Sequence, residues 1–217
     1  MEKEEKPLNQ YGEIIMDRLN RSIHNISSEL NSLNSYTFLV AVVLSAQTTD
    51  KAVNKATYEL FKIADNPISM LQLGADNLKE YIKHLGLFNS KAKHILELSK
   101  ILIDKYQSKI PIDRIELEKL PGVGRKTANV VLNHLYKLPY IAVDTHVKRV
   151  SNRLNLSRST NPIKIEEDLY KILPKKHHIN ASNLLVMHGR YTCTAKKPNC
   201  QNCIIKDICC NYVSYLI

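Results

Sequence analysis

Apolar residues return every three or four positions along nearly the whole chain, and no stretch of four to eight residues alternates polar with apolar as a half-buried strand does. Ile14, Ile15, Leu19 and Ile23 show the helical period, as do Phe38, Leu39, Val42 and Val43, and again Ile95, Leu98 and Leu102. The pattern predicts an all-α fold of about ten short helices and no sheet. Ser35 and Asp50 read as N-caps and Gly74 and Gly86 as stops, while Pro67, Pro111, Pro139, Pro162 and Pro174 fall between periodic segments. A chain of 217 residues can bury a substantial core, as one domain or as two small ones sharing an interface. No low-complexity linker or internal repeat marks a boundary.

Between a short helix expected over residues 115–120 and a second over residues 126–135 lies the tight turn Pro121, Gly122, Val123, Gly124. Ala128, Val131, Leu132 and Leu135 form the inner face of that second helix. Two glycines permit positive φ and leave backbone N–H groups uncovered. With the helix N-terminus that follows, they form a cradle for a phosphate oxygen that reads no base. A plain corner between helices would also satisfy this sequence.

Lys126 sits near that helix N-terminus, where a cation opposes the macrodipole and costs helix stability. Partial desolvation, the positive helix end and neighbouring Arg125 favour the uncharged amine, a nucleophile. A lysine that only contacts phosphate fits the same placement. Eighteen residues on, Asp144 follows the apolar segment Ile141, Ala142, Val143 and precedes the helical pattern of Val147, Val150 and Leu154. The position suits an N-cap, and a capped carboxylate is held rigidly enough to stabilise positive charge developing on a sugar ring.

The charge is distributed unevenly. Residues 1–120 carry 16 basic and 16 acidic side chains, residues 121–217 carry 15 basic and 5 acidic, and the net charge of +10 therefore lies in the second half. A polyanion-binding face has this asymmetry. No apolar run is long enough to span a membrane, and residues 1–6 lack the apolar stretch of a secretory signal, so an intracellular protein is expected.

All five cysteines fall in the last 25 residues, and Cys193, Cys200, Cys203 and Cys209 are separated by six, two and five residues. Four thiols packed into 17 residues of an intracellular chain point to a metal centre rather than to disulfides. Zinc and an iron-sulfur cluster both take four thiolates, so coordination chemistry leaves the two open. Cys210 is a spare thiol. Lys196 and Lys197 lie within the loop that such a centre would pin, with Arg190 just before it.

Residues 120–131 (LPGVGRKTANVV), residues 143–147 (VDTHV) and the cysteine spacing together resemble the endonuclease III family, helix-hairpin-helix DNA glycosylases with AP lyase activity. Residues 44–50 (LSAQTTD), 86–92 (GLFNSKA) and 188–193 (HGRYTC) extend the resemblance, in order, over nearly the whole chain. The resemblance implies an all-α, two-lobed helix-hairpin-helix DNA glycosylase fold. Residues 28–138 would form a six-helix lobe. Residues 1–27 and 139–217 would form a second lobe with a [4Fe-4S] cluster loop over 193–209, held by Cys193, Cys200, Cys203 and Cys209. It implies Lys126 and Asp144 as catalytic residues of a bifunctional base excision repair enzyme. That enzyme removes oxidised pyrimidines through a lysine Schiff base and cuts 3′ to the abasic site by β-elimination. Gly122, Val123, Gly124 and Arg125 would grip DNA, with Lys196 and Lys197 adding charge from the cluster loop and His146 lying near the backbone. Gln47 would fill the space of the extruded nucleotide and Leu87 would wedge the opposite strand. The implied partner is double-stranded DNA with damaged bases or abasic sites, bound by a monomer in the cytoplasm and held to the nucleoid through that DNA, with no membrane partner. Related adenine glycosylases lack the lysine at position 126, which argues against that reading.

Overall fold

The computed structural model describes residues 8–23 and 28–213. Among these residues there are eleven α-helices, one 3-10 turn and no strand, as the apolar period predicts. No described helix is long and apolar enough to cross a membrane. The chain divides into two compact units, Ser28–Lys137 and Met1–Ser27 with Leu138–Ile217.

The unit Ser28–Lys137 contains α2 (Ser35–Leu44), α3 (Asp50–Ile63), α4 (Pro67–Ile82), α5 (Phe88–Tyr106), α6 (Arg114–Glu118) and α7 (Arg125–Tyr136). The helix α2 packs against α3, α5 and α7. It is buried at every position from Tyr36 to Leu44, so it is a core helix with no solvated face rather than an amphipathic one. Phe38 stacks on the His134 ring of α7 with centroids 3.9 Å apart, and Tyr36 Oη and Ser99 Oγ of α5 are 2.6 Å apart. Leu60, Met70, Leu78, Ile82, Ile95 and Leu98 are fully buried in this unit, each contributing about 1.5–3 kcal/mol of apolar burial.

Helix starts fall one residue earlier than expected. Asn34 and Thr49 are the N-caps, not Ser35 and Asp50: Asn34 Oδ1 accepts the Thr37 N–H at 2.9 Å while Thr37 Oγ1 accepts the Asn34 N–H at 2.9 Å. Pro67 and Pro162 open their helices at the first position, where a missing N–H costs nothing. Gly74 does not stop α4. Its backbone (φ 77°, ψ 170°) kinks a helix that resumes at once and ends at Ile82.

The other unit contains α1 (Leu8–Ser22), α8 (Thr145–Arg153), α9 (Pro162–Ile172), the 3-10 turn Lys175–His177, α10 (His178–Tyr191) and the short α11 (Cys210–Val213). Ile15, Met16 and Leu19 of α1, Val147 and Val150 of α8, Ile165 and Leu169 of α9, and Ala181, Leu184 and Leu185 of α10 close one core. Half-buried Cys193, Cys203 and Cys209 pack against its edge. The helices α8 and α10 approach at Gly189, where an added Cβ would sit 3.0 Å from His146 Cβ and 3.1 Å from Val150 Cγ2. A side chain there would crowd α8, whose neighbouring atoms would have to give by a few tenths of an ångström.

Candidate active site and cluster loop

In the unit Ser28–Lys137, α6 and α7 are joined by the glycine turn. Leu120 and Val123 are buried and clamp it from inside, and the Val123 N–H donates to Leu120 O at 3.0 Å. Gly122 adopts φ +78°, and a Cβ there would meet His94 Cβ and Val43 Cγ1 at 3.1 Å each. Both the backbone angle and the close approach require glycine. Gly124 differs from expectation: it is the N-cap of α7 at φ −93°, ψ 177°, extended backbone open to any residue, and nothing lies within 4 Å of its missing Cβ. What this glycine provides is an N-terminus with no capping side chain. The first turn of this 12-residue helix therefore receives no side-chain cap, a place that an anion can take.

Arg125 and Lys126 are the first two residues of α7, whose Ala128, Val131 and Leu132 are fully buried. Leu135, expected on the same inner face, is half-buried. Lys126 is exposed rather than partly buried.

Several non-glycine residues of this unit have positive φ, Gln107, Ser108 and Lys137 among them. Gln47 (φ 54°) and Leu87 (φ 60°) are non-glycine residues in the left-handed region, and both are exposed, Leu87 to 58%. A bulky leucine at positive φ is a strained conformation on an apolar side chain held in solvent. These are the two residues the family resemblance singles out for entering the duplex.

In the other unit, the extended segment before α8 has its N–H groups satisfied by side chains: Ile141 N–H donates to Tyr170 Oη at 2.9 Å and Ala142 N–H to Ser182 Oγ at 2.7 Å. This delivers Asp144 to the head of α8, where it is the N-cap and accepts the Val147 N–H at 2.8 Å. Its side chain is half-buried. His146 follows in the first turn, its Nδ1 3.2 Å from Arg149 Nη2.

Arg149 and Arg153, on the face of α8 turned to the cysteine loop, were not singled out by the sequence. Arg149 donates to Gly189 O at 2.8 Å and to Cys193 O at 3.2 Å. Arg153 donates to Thr194 O at 2.7 Å and to Ala195 O at 2.9 Å, and its Nη1 lies 3.3 Å from Cys193 Sγ. From α1, Arg18 pairs with Asp207 at 2.6 Å and Tyr11 Oη donates to Ile208 O at 3.0 Å. The loop is thus gripped from two helices, and exposed Lys196 and Lys197 project from it.

Cys193, Cys200, Cys203 and Cys209 line one pocket together with Arg153, His188 and Ile205. No carboxylate lines it. Burial pushes the Cys203 thiol up, and the proximity of Cys209, Cys193 and Cys200 adds to the shift. Four soft sulfur donors that repel one another as anions fit a cluster of cationic iron, and the Arg153 guanidinium complements the net negative charge of a thiolate-bound centre. Cys210 is exposed and lies outside this lining, its Sγ 3.6 Å from Tyr11 Oη.

A helix-hairpin-helix with an uncapped second helix, and a four-thiolate loop fixed to an aspartate-capped helix, define a DNA repair protein of the helix-hairpin-helix class. The family model for the HhH-GPD superfamily base excision DNA repair protein matches residues 40–175, and that for the iron-sulfur binding domain of endonuclease III matches residues 193–209. The chain is 49% identical over 195 residues to endonuclease III of Haemophilus influenzae, covering 90% of this chain and 92% of the relative. It is 54% identical over 190 residues to that of Rickettsia felis, covering 88% and 89%. A solved structure of a trapped endonuclease III–DNA covalent intermediate superposes with a TM-score of 0.90 at 38% identity, covering 98% of this chain and 100% of that one. The chain belongs to the endonuclease III family. It is a base excision repair DNA glycosylase and AP lyase with a [4Fe-4S] cluster, which resolves the choice between zinc and iron.

Proposed function

We propose that Lys126 is the nucleophile of a bifunctional reaction on double-stranded DNA carrying oxidised pyrimidines or abasic sites, performed by a monomer. The Lys126 Nζ lone pair forms a bond to C1′ of the damaged nucleotide as the bond from C1′ to the base breaks. Asp144 stabilises the positive charge on the sugar and assists proton transfer to the departing base. Ring opening gives a Schiff base between Nζ and C1′, and the imine acidifies the C2′ proton. Loss of that proton expels the 3′ phosphate by β-elimination, and water then releases the sugar from the lysine.

The residue that attacks has to reach a carbon hidden in the duplex, so the nucleotide is rotated out of the stack. Gln47 fills the space it leaves and Leu87 wedges the facing strand. The turn of Gly122, Val123, Gly124 and Arg125 holds the backbone, His146 lies beside it, and Lys196 and Lys197 add phosphate contacts. When bound, the [4Fe-4S] cluster supplies a fourfold thiolate anchor for the loop carrying those lysines, from Cys193, Cys200, Cys203 and Cys209.

One observation carries this reading: the second residue of a helix whose N-terminus has no side-chain cap is an exposed lysine. Bound DNA then covers the amine. Borohydride reduction of the enzyme on an abasic-site duplex is expected to give a covalent protein–DNA adduct that is lost in Lys126→Ala. If the adduct and strand cleavage persist undiminished in that variant, the nucleophile is a different group.

A further inference from the structure

Lys91 is 4% exposed, the most deeply buried lysine or arginine among the described residues. It lies in the first turn of α5, directly after Leu87, and its own N–H donates to Leu87 O at 3.0 Å. Its ammonium donates to Thr48 Oγ1 at 2.7 Å, and no carboxylate pairs with it among the described residues. Burial drives its proton affinity down. A charge kept in such a place costs stability, so packing alone does not account for it.

Its two bonds lead to the Gln47 loop, through Thr48, and to Leu87 itself, the two exposed positive-φ residues named above. Thr48 follows Gln47, and its hydroxyl in turn donates to Ala46 O at 3.3 Å, on the other side of Gln47. Leu87, the N-cap of α5, is joined to Lys91 through the first helical hydrogen bond. One turn further along α5, His94 packs beneath Gly122 of the hairpin. The first turns of α5 therefore bring together the Gln47 loop, the Leu87 tip and the phosphate-facing turn within one unit.

We propose that Lys91 is a positioning residue for base extrusion: its ammonium ties Thr48, and with it the Gln47 loop, to the first turn of α5 that Leu87 caps, so that plug and wedge enter the duplex in fixed register. The proposal rests on the roles given to Gln47 and Leu87 above. A neutral side chain of similar length fills the space but releases the Gln47 loop. An error of about 1 Å in such a constellation lowers a rate by as much as 100-fold.

The test compares the cluster-loaded wild type with Lys91→Met and Thr48→Val on two substrates, a lesion duplex and a single-stranded abasic oligonucleotide, which has no stack to open. The expected result is a single-turnover duplex rate lowered on the order of 10-fold or more in both variants, with single-strand cleavage changed less than about 2-fold. A 2-aminopurine opposite the lesion should show a slower fluorescence rise, and the double variant should lose no more than Lys91→Met alone. Equal losses on both substrates, or no loss on the duplex, overturn the proposal. Thr48→Val keeps the question answerable should Lys91→Met fold poorly. Gln47→Ala and Leu87→Ala run alongside: if these leave the duplex rate unchanged, the plug-and-wedge reading fails and this one with it. If they lower it while Lys91→Met and Thr48→Val do not, only the role of Lys91 is refuted.

Discussion

The Arg153 guanidinium lies 3.3 Å from Cys193 Sγ and, through the same planar fork, donates to the carbonyls of Thr194 and Ala195. Loop and thiolate are thus held by one side chain on α8, the helix that Asp144 caps. Lysine cannot reproduce a fork of this kind, and glutamine removes the charge. Arg153→Gln should therefore load less cluster, read as lower absorbance near ~400 nm per chain, and should bind undamaged duplex several-fold more weakly because Lys196 and Lys197 lose their frame. Full cluster loading with unchanged duplex affinity would show that the α8 contacts are dispensable.

Asp144 combines two properties that substitution separates. As the N-cap of α8 it accepts the Val147 N–H at 2.8 Å, and asparagine caps a helix about as well as aspartate. Asp144→Asn should keep its thermal midpoint and, on the proposed mechanism, lose base excision by about two orders of magnitude with the charge assigned to stabilising the sugar cation. Asp144→Ala should lose that activity and about 1 kcal/mol of stability as well. Near-normal excision by the asparagine variant would reduce Asp144 to a helix cap.

The two hairpin glycines should behave differently on replacement. Gly122→Ala forces an L-residue to φ +78° against His94 and Val43 and should cost about 1–3 kcal/mol, measured by denaturant unfolding. Gly124→Ala meets neither obstacle, and the poorer N-cap that alanine makes is offset by its stiffer unfolded chain, so it should change stability by less than about 1 kcal/mol. A loss of duplex affinity in Gly124→Ala without loss of stability would then report a methyl group placed between the α7 N-terminus and a phosphate. Unaltered affinity would mean that DNA does not approach this turn closely.

Local chemistry was readable from the sequence wherever a residue's role depends on its chain neighbours. The helical period, the Asp144 cap, the turn at Gly122 and the cysteine spacing are all of that kind. The errors at Asn34 and Thr49 arose where two capping residues stand side by side, Asn34 with Ser35 and Thr49 with Asp50, and only the hydrogen bonds choose between them. Two glycines in one turn permit positive φ at both, but only Gly122 adopts it and is pressed against other helices. Arg149, Arg153 and Lys91 were passed over because each acts across long separations, Lys91 on a residue 43 positions away and Arg153 on one 40 positions away. In the sequence they are indistinguishable from the solvated cations that helices of this composition carry.

Lys91 also ties stability to pH, with a sign that can be worked out. Burial lowers its proton affinity in the folded protein, whereas in the unfolded chain it titrates near the ordinary ~10.4. Between those two values the unfolded state binds more protons than the folded state, so the stability contribution of this group rises with pH across that window. Below the window the full cost of confining the ammonium is present, and among the described residues Thr48 Oγ1 is the single side-chain acceptor set against it. Lys91→Met removes that cost and leaves comparable volume in the site. Its thermal midpoint at neutral pH should therefore exceed the parent's by about 2–4 °C, and the excess should shrink as pH approaches ~10. A variant that is more stable and slower on duplex DNA would identify the buried charge as retained for base extrusion at the expense of the fold. A midpoint below the parent's at neutral pH would mean that the Thr48 bond outweighs desolvation, and that Lys91 holds the fold together as well as the two loops.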